Sequence, residues 1–212
     1  VVAPELYWYG NVVKTLELLE AIRVSGTPRL VFSSTAATYG EPESVPITED
    51  APTRPTNAYG ATKLAQEHLL AAWGAAHNAP LSVLRLQNVY GPGQSLTNPY
   101  TGVVPFFARA AREQRPSEVF EDGRIVRDLV YIDDVVDAMF AAIERPVAES
   151  RCLDIGSGTG ITILELATKI AAIFDAPKPN IVPKFRDGDI RAASCDIEPA
   201  KRELDWSPRW AV

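Results

Sequence analysis

The chain has 212 residues, of which 46% are hydrophobic and 23% are charged, proportions typical of a globular protein with a substantial core. Its formal net charge of −6 argues against a nucleic-acid-binding protein, whose surface would be basic. No apolar run approaches the roughly 20 residues that a membrane helix needs. The segment from Val1 to Tyr9 lacks the basic start of a signal peptide. We therefore expect neither a nucleic-acid partner nor a membrane partner.

Cysteine and histidine are too few for several kinds of site. Cys152 and Cys195 do not form a CxxC pair, so neither a disulfide framework nor a structural zinc site is supported. A reducing cytoplasm is the expected location. His68 and His77 both fall on one predicted helix, which leaves little material for a metal site or a Ser-His-Asp triad. We expect no metal site.

Helical and extended segments alternate along the chain, which predicts an α/β fold with a largely parallel sheet. Thr56 or Asn57 is available to cap the second helix, and Asp133 to cap the fourth. No linker separates two domains, so a second domain has to interleave with the first. The predicted helices are 11–22, 57–76, about 102–115, 135–144 and 163–174, and the predicted strands are 29–35, 81–86, 118–121, 128–132, 151–155 and 180–185.

One combination of motifs is suited to proton transfer. The segment Ser33-Ser-Thr-Ala-Ala-Thr-Tyr-Gly40 follows a predicted strand, and Tyr59-Gly-Ala-Thr-Lys63 lies on a predicted helix. Tyr59 and Lys63 are four residues apart and therefore share one helix face. A nearby ammonium lowers the pKa of a tyrosine from its ordinary value of about 10. Thr35 ends a parallel strand, where ligands normally bind, and can hydrogen-bond the same substrate oxygen as the tyrosine.

This arrangement predicts the deprotonation of an alcohol, with Tyr59 as the base, Lys63 as the group that tunes it and Thr35 as the group that orients the substrate. Such a step is productive only when another group accepts a hydride, which no protein side chain does. The chemistry therefore implies a nicotinamide cofactor. A Tyr-x-x-x-Lys spacing alone arises by chance in many proteins, and the Ser-Ser-Thr strand end makes the prediction specific.

Further motifs carry a family resemblance: Asn88-Val-Tyr-Gly-Pro92, Arg127-Asp-Leu-Val-Tyr-Ile-Asp-Asp134 and Arg186-Asp-Gly-Asp189. With the Thr, Tyr and Lys positions, they resemble the extended short-chain dehydrogenase/reductases of the nucleotide-sugar epimerase and dehydratase family. The resemblance runs over essentially the whole chain. It implies a Rossmann-type doubly wound parallel sheet with a smaller, interleaved C-terminal substrate domain, and NAD as the cofactor.

The resemblance also implies a division of the chain. Residues 1–90 and about 128–147 are expected to form the NAD-binding portion, and residues 91–127 and 148–212 the substrate-binding portion. The family's opening strand and glycine-rich turn have no counterpart before Asn11. We therefore expect the N-terminal part of the Rossmann portion to be missing from this sequence.

Individual residues receive roles from the same resemblance. The expected catalytic residues are Tyr59, Lys63 and Thr35. Guanidinium groups suit a diphosphate, because each donates two parallel hydrogen bonds, although a surface or interdomain ion pair is the alternative for each arginine. The expected cofactor-binding residues are Asn11, Ser33, Ser34, Tyr59, Lys63 and Leu86, and the expected substrate-binding residues are Thr35, Asn88, Val103, Arg127, Arg186 and Asp189.

Ala36 and Ala37 narrow the expected reaction. In the family, 4,6-dehydratases carry an Asp-Glu pair at these positions, and related decarboxylases carry a glutamate at the second. A methyl group cannot protonate a leaving hydroxyl, so the sequence favours a 4-epimerase acting on a dTDP- or UDP-hexose. The implied mechanism has Tyr59 remove the 4-hydroxyl proton as hydride passes to NAD, and hydride then returns to the other face of the sugar. The loop 91–102 resembles that of epimerases acting on dTDP-rhamnose.

Several alternatives stay open. An NAD(P)H-dependent 4-ketoreductase or a 4,6-dehydratase would use the same fold, as would a binding module without catalysis. The glycines of Cys152-Leu-Asp-Ile-Gly-Ser-Gly-Thr-Gly160 also resemble an S-adenosylmethionine-dependent methyltransferase loop, but too few residues follow to complete that sheet. The helices 11–22 and 57–76 resemble those that form a four-helix dimer interface in the family, so we expect a homodimer.

Overall fold

The computed structural model describes residues 3–26, 29–96, 102–145, 150–185 and 189–212. A π-helical segment, Trp8–Val13, joins the first two helices. The α-helices are α1 (Pro4–Tyr7), α2 (Lys14–Ser25), α3 (Ala58–His77), α4 (Val103–Arg112), α5 (Ile132–Glu144), α6 (Ile163–Ile173) and α7 (Glu198–Leu204). The strands are β1 (Leu30–Thr35), β2 (Leu81–Leu86), β3 (Asn88–Tyr90), β4 (Glu118–Phe120), β5 (Val126–Tyr131), β6 (Arg151–Ile155), β7 (Gly160–Thr162), β8 (Asn180–Val182) and β9 (Ala192–Ala193).

A parallel sheet with the strand order β1-β2-β6 is covered by helices on both faces. On one face, Leu19 of α2 and Leu70 of α3 pack with Leu81 and Val83. On the other face, α5 and α7 contribute to a cluster with Leu84, Leu153 and Ile155. Burial on both faces explains why these strands are rich in apolar residues. The predicted doubly wound α/β fold is confirmed.

A smaller set of strands extends the fold beyond this sheet. β5 pairs in parallel with β3 and β9 and antiparallel with β7, while β4 pairs in parallel with β8. Helices α4 and α6 pack together over this region, where Phe107, Leu129 and Leu166 share one cluster. β3 directly follows the main sheet and leads into the turn at Gly91, so the two regions meet at the carboxyl end of β2.

Several element boundaries differ from the predictions. The first helical stretch begins at Pro4 and ends at Ser25, because the π-helical segment continues it through Gly10. β3 lies between the second strand and the Gly91 turn, where no strand was predicted. β6 hydrogen-bonds to β2 and so joins the main sheet, although it falls in the range 148–212 that was assigned to substrate binding.

The prediction that Asp133 caps the fourth helix is wrong. That helix, α5, starts at Ile132, and its N-cap residue Tyr131 makes no side-chain capping bond. Asp133 lies in the first turn, where a negative charge favours the helix dipole. Asp134 is buried and accepts hydrogen bonds from the main-chain amides of Arg209 and Trp210, at 2.9 and 3.2 Å. This aspartate therefore fastens the C-terminal segment to α5.

Across the described ranges, none of the helices has both the length and the apolar character that crossing a bilayer would need.

Candidate active site

The start of α3 fits closely against the end of β1. Asn57 caps the helix, and its Oδ1 accepts a hydrogen bond from the Gly60 amide at 2.9 Å. A Cβ atom at residue 60 would lie only 2.4 Å from the Ala37 carbonyl oxygen, so glycine permits this approach. The tight fit places Tyr59, the preceding residue, beside the 3-10 turn that follows Thr35.

Thr35 and Tyr59 lie close together at the centre of the site. The Thr35 Oγ1 accepts from the Ala37 amide at 3.2 Å, so the hydroxyl proton of Thr35 is not used in that bond. Burial raises the pKa of Tyr59, the neighbouring Thr35 hydroxyl acts to lower it, and the nearby Tyr7 raises it; the net direction is upward. The Tyr7 ring stands edge-on to the Tyr59 ring at 6.1 Å between centroids.

Lys63 lies one helical turn after Tyr59 but makes its own contacts. Its Nζ donates to the Ser33 carbonyl oxygen at 2.6 Å and lies 4.1 Å from the centroid of the Phe32 ring. Burial lowers the pKa of this ammonium to about 8, against an opposing effect from Glu67. The expectation that Lys63 tunes Tyr59 stays a prediction; the Thr35 hydroxyl is the neighbouring group that acts to lower the pKa of Tyr59 in this structure.

The predicted cofactor-binding residues divide into two groups. Ser33 is exposed, and Leu86 ends β2 directly opposite Thr35, so both lie at the carboxyl edge of the sheet. The side chains of Ser34 and Asn11 bind other residues of the protein. Ser34 is buried and its hydroxyl donates to Glu67, and the Asn11 side chain donates to the Thr62 hydroxyl at 2.8 Å. These two side chains hold helices in place rather than facing the open edge.

A cavity of about 360 Å³ opens beside Tyr59. It brings Tyr59 together with two predicted substrate-binding residues, Asn88 and Val103. Asn88 is exposed, and its Nδ2 donates to the Asp128 carbonyl oxygen at 3.2 Å. The other lining residues were not predicted as site residues; they are Gln87, Val89, Tyr90, Gln94, Gly102, Val104, Pro105 and Leu129.

Arg127 and Asp189, both predicted to bind substrate, contact each other. Arg127 forms an ion pair with Asp189 and also donates to the Val126 carbonyl oxygen at 2.7 Å. The ion-pair alternative for this arginine is thus observed, and its partner is Asp189. Arg186 lies outside the described residues.

The glycine-rich loop after β6 encloses a carboxylate of the protein itself. Asp128 is completely buried, and it accepts hydrogen bonds from the Ser157 amide at 2.6 Å, the Ser157 hydroxyl at 2.8 Å and the Gly158 amide at 3.1 Å. A Cβ at Gly156 would lie 2.6 Å from the same carboxylate. Because the loop amides are used in this way, the loop does not form the adenosine-binding turn of a methyltransferase.

A layer of buried polar side chains behind the site was not predicted. Arg85 binds Glu67 with its Nε at 3.1 Å and its Nη2 at 2.7 Å, and both residues are at most 7% exposed. The Tyr39 hydroxyl donates to Asp154 at 2.6 Å. One signal was available in the sequence, since Arg85 and Asp154 are charged residues within apolar strands, and such residues require partners.

Among the residues that the structure describes, no group of three or more histidine, cysteine, aspartate or glutamate side chains is placed to hold a metal ion.

The fold and site define the class of protein. A model of the NAD dependent epimerase/dehydratase family matches residues 1–156. The chain therefore belongs to this family.

Two curated relatives and one solved structure are similar to most of this chain. The chain is 54% identical to a dTDP-L-rhamnose 4-epimerase of Burkholderia thailandensis, over 75% of this chain and 44% of that protein. It is 38% identical to a UDP-glucose 4-epimerase of Streptomyces lividans, over 98% of this chain and 66% of that protein. A structure of a UDP-glucose 4-epimerase with UDP-glucose from Thermotoga maritima matches with a TM-score of 0.93 and 33% identity, over 100% of this chain and 68% of the other. The chain thus spans 44% to 66% of the length of these two curated relatives.

Proposed function

We propose that the protein containing this chain is an NAD-dependent nucleotide-sugar 4-epimerase. The observation that carries the proposal is the placement of Tyr59, which lies beside Thr35 at the carboxyl edge of the sheet and lines a cavity together with Asn88. A phenol at the wall of a cavity, with a second hydroxyl next to it, suits proton exchange with a substrate alcohol. The family match and the two 4-epimerase relatives support the same reaction.

The side chains at this edge fit the nicotinamide end of a dinucleotide. Ser33 is exposed, Leu86 offers an apolar surface, and the Lys63 ammonium is one helical turn from Tyr59, within reach of a ribose hydroxyl. NAD, when bound, accepts a hydride from the sugar carbon and returns it, and its positive ring favours a nearby phenolate. We propose Lys63, Ser33, Leu86 and Tyr59 as the residues that hold this end of the cofactor.

The proposed proton movements use the hydroxyl groups of Thr35 and Tyr59. In the proposed reaction Thr35 donates a hydrogen bond to the Tyr59 oxygen, which favours the phenolate that accepts the proton of the sugar 4-hydroxyl. Tyr59 returns that proton to the same oxygen when the other face of the sugar is presented. Ala36 and Ala37, in the 3-10 turn, offer no acid for removing a second hydroxyl as water. This residue set favours epimerisation over dehydration.

We propose that Arg127 binds the substrate diphosphate. Its guanidinium is paired with Asp189, and exchanging this carboxylate for a phosphate keeps the arginine charge compensated. Asp189 is then free to accept a hydrogen bond from a ribose hydroxyl. Asn88, exposed in the cavity, is proposed to bind the sugar or its diphosphate, with Val103 beside it and Arg186 as a second cation.

For the nucleotide sugar itself, we propose dTDP-L-rhamnose or its C4 epimer. Support comes from the 54% identity to a dTDP-L-rhamnose 4-epimerase, compared with 38% for the UDP-glucose 4-epimerase. The loop 91–102, which suggested the same preference, lies partly outside the described residues, since 97–101 are not described.

The proposal is tested by incubating the full-length protein with dTDP-L-rhamnose, UDP-glucose and UDP-galactose, each with NAD. NMR spectra should show C4 epimers with no net change in NADH absorbance. Formation of a 4-keto-6-deoxy sugar would show a dehydratase instead, and stoichiometric consumption of NADPH with a keto sugar would show a reductase.

We further propose a cytoplasmic homodimer that uses the first helical stretch and α3. Its support is a set of large apolar side chains left exposed on that stretch: Leu6, Trp8, Tyr9, Val13, Leu16 and Leu18. Light scattering on the full-length protein should give twice the chain mass, and Leu16→Asp should shift it toward the monomer.

A further inference from the structure

Three consecutive residues of β1 contact three positions along one side of α3. Lys63 donates to the Ser33 carbonyl oxygen, and Tyr59 lies beside Thr35. The residue between them, Ser34, donates its hydroxyl to Glu67. Residues 59, 63 and 67 are spaced by four, so they follow one face of the helix. The catalytic pair thus belongs to a row of helix–strand contacts that ends at Glu67.

The last contact in this row is the most deeply buried. The side chains of Glu67 and Arg85 are 5% and 8% exposed, and the guanidinium holds the carboxylate through two nitrogens. Arg85 lies directly opposite Ser34 in the parallel register of β1 and β2. Glu67 therefore joins α3 to two neighbouring strands at one level of the sheet. A bidentate pair fixes orientation as well as distance.

We infer that Glu67, held by Ser34 and Arg85, is a positioning residue that keeps Lys63 in register with the carboxyl end of β1. The inference rests on the proposed function, in which the Lys63 ammonium acts at that edge. The placement follows from helix geometry, since fixing residue 67 against Ser34 sets the rotation and height of α3 one turn earlier. Lys63 then meets the Ser33 carbonyl, and Tyr59 meets Thr35.

The negative charge of Glu67 also acts on Lys63. Burial lowers the pKa of Lys63, and the negative charge of Glu67 opposes that effect. The groups that face Lys63 in the described structure are Tyr59 and Glu67 from α3, and the Phe32 ring and the Ser33 carbonyl from β1. Behind Glu67 stand Arg85 and the Cys152 thiol, whose pKa is raised to about 12 by burial, so it stays neutral. Glu67 is therefore the anion that helps Lys63 remain charged.

A contribution to the stability of the fold does not explain well why Glu67 and Arg85 form an ion pair at this place. Two charges removed from water lose much of their hydration, and buried ion pairs replaced by apolar residues often leave a protein equally stable. Here the pair lies one helical turn from the proposed catalytic lysine and next to the residue that precedes Thr35. A specific role in placing Lys63 accounts for that location.

The test compares Glu67→Gln, Ser34→Ala and the control Glu198→Gln in the full-length protein. Glu198 forms an ion pair of the same length, 2.7 Å, with Lys201 on the surface. Two quantities are measured in each variant: kcat and KM for epimerisation, and the pH titration of Lys63. The titration follows competitive acetylation of its amine, read by mass spectrometry of the Lys63 peptide, and it needs no substrate.

Glu67→Gln is expected to move the Lys63 titration to lower pH and to reduce kcat about 10- to 100-fold at pH 7.5, with KM changed less than about 2-fold. Ser34→Ala keeps the ion pair, so its titration should match wild type while kcat falls about 3- to 10-fold. The control should match wild type in both quantities. A folded Glu67→Gln protein with an unchanged titration or an unchanged kcat would overturn the inference.

If Glu67→Gln does not fold because Arg85 is left unpaired, the double variant Glu67→Gln/Arg85→Gln removes both buried charges, and the same two criteria apply to it. If wild type epimerises none of the nucleotide sugars, the proposed function fails. The titration then decides the inference by itself, because the Lys63 amine reports its surroundings without turnover.

Discussion

Two buried carboxylates, Glu67 and Asp128, are held in different ways. Glu67 is bound by side chains from two strands, the Arg85 guanidinium and the Ser34 hydroxyl. Asp128 is bound mainly by a single loop, through the amides of Ser157 and Gly158 and the Ser157 hydroxyl. The Arg85 guanidinium compensates the charge of Glu67 and links α3 to the sheet. The loop amides that bind Asp128 instead fix the shape of the loop to which they belong.

The difference suggests separate tasks for the two carboxylates. The Asp128 contacts bring the loop after β6 against β5, next to Arg127, and leave the loop no amides for a ligand at these positions. The Glu67 contacts connect α3 to the sheet beside Lys63. Removing the Asp128 carboxylate should therefore cause the largest fall in the free energy of unfolding. Changes where α3 meets β1 should instead affect kcat more than the free energy of unfolding.

The largest effect on stability is expected for Asp128→Ala. The variant leaves the Ser157 and Gly158 amides without their acceptor and opens a cavity where the fully buried carboxylate stood, which should lower the free energy of unfolding by about 3–4 kcal/mol. Urea denaturation of the full-length protein measures the loss. Asp122→Ala, at an exposed loop position, is the control and should cost far less. A loss below about 1 kcal/mol for Asp128→Ala would contradict the role given to this carboxylate.

A smaller loss of stability with a large loss of activity is expected for Gly60→Ala. The new Cβ would lie 2.4 Å from the Ala37 carbonyl oxygen, so α3 has to move away from the turn after Thr35. We expect the free energy of unfolding to fall by about 2 kcal/mol and kcat to fall roughly 100-fold. Gly10→Ala is the matched control, because nothing lies within 4 Å of its added Cβ. Equal behaviour of the two variants would disprove the close fit.

An effect on stability alone, and one that depends on pH, is expected for Asp154→Asn. Burial raises the pKa of Asp154 to about 7, well above its ordinary value near 3.8, so the folded protein holds a proton that the unfolded chain has lost. Wild type therefore loses stability as pH rises from about 4 to 7, and the asparagine variant does not share this loss.

The measurement for this variant is its free energy of unfolding relative to wild type, at pH 4.5 and at pH 8. The difference should change in favour of Asp154→Asn by about 1–3 kcal/mol between these two values. Asp50→Asn, at the surface, controls for the loss of one carboxylate. A difference that stays constant with pH would show that Asp154 is ionised in the folded protein throughout this range.

Local patterns predicted the main sheet well and located the candidate catalytic residues. The bounds of β2 and β6 match the prediction, because a short apolar run between turn residues is typical of a buried parallel strand. Tyr59 and Lys63 were located by helix spacing, and Thr35 by its position at the end of a strand. These features depend on neighbours within a few residues in sequence, and the fold then brought Thr35 and Tyr59 together as expected.

Features that depend on distant partners were not predictable in the same way. Ser34 precedes Thr35 in sequence, but its partner Glu67 is 33 residues away, and only the packing of α3 on β1 brings them together. Asp128 and the glycine loop are about 30 residues apart, so the loop by itself resembled a ligand-binding turn. The sign of the Tyr59 pKa shift was also missed, because burial cannot be read from helix spacing.

The proposed function requires that the phenol of Tyr59 exchanges a proton with the sugar. Tyr59→Phe keeps the ring beside Tyr7 and removes only the hydroxyl. The most direct measurement is the rate of C4 epimer formation by this variant alongside its binding of the nucleotide sugar by calorimetry. We predict a rate at least about 1000-fold below wild type with the dissociation constant changed less than about 3-fold. Wild-type turnover by Tyr59→Phe would contradict the account.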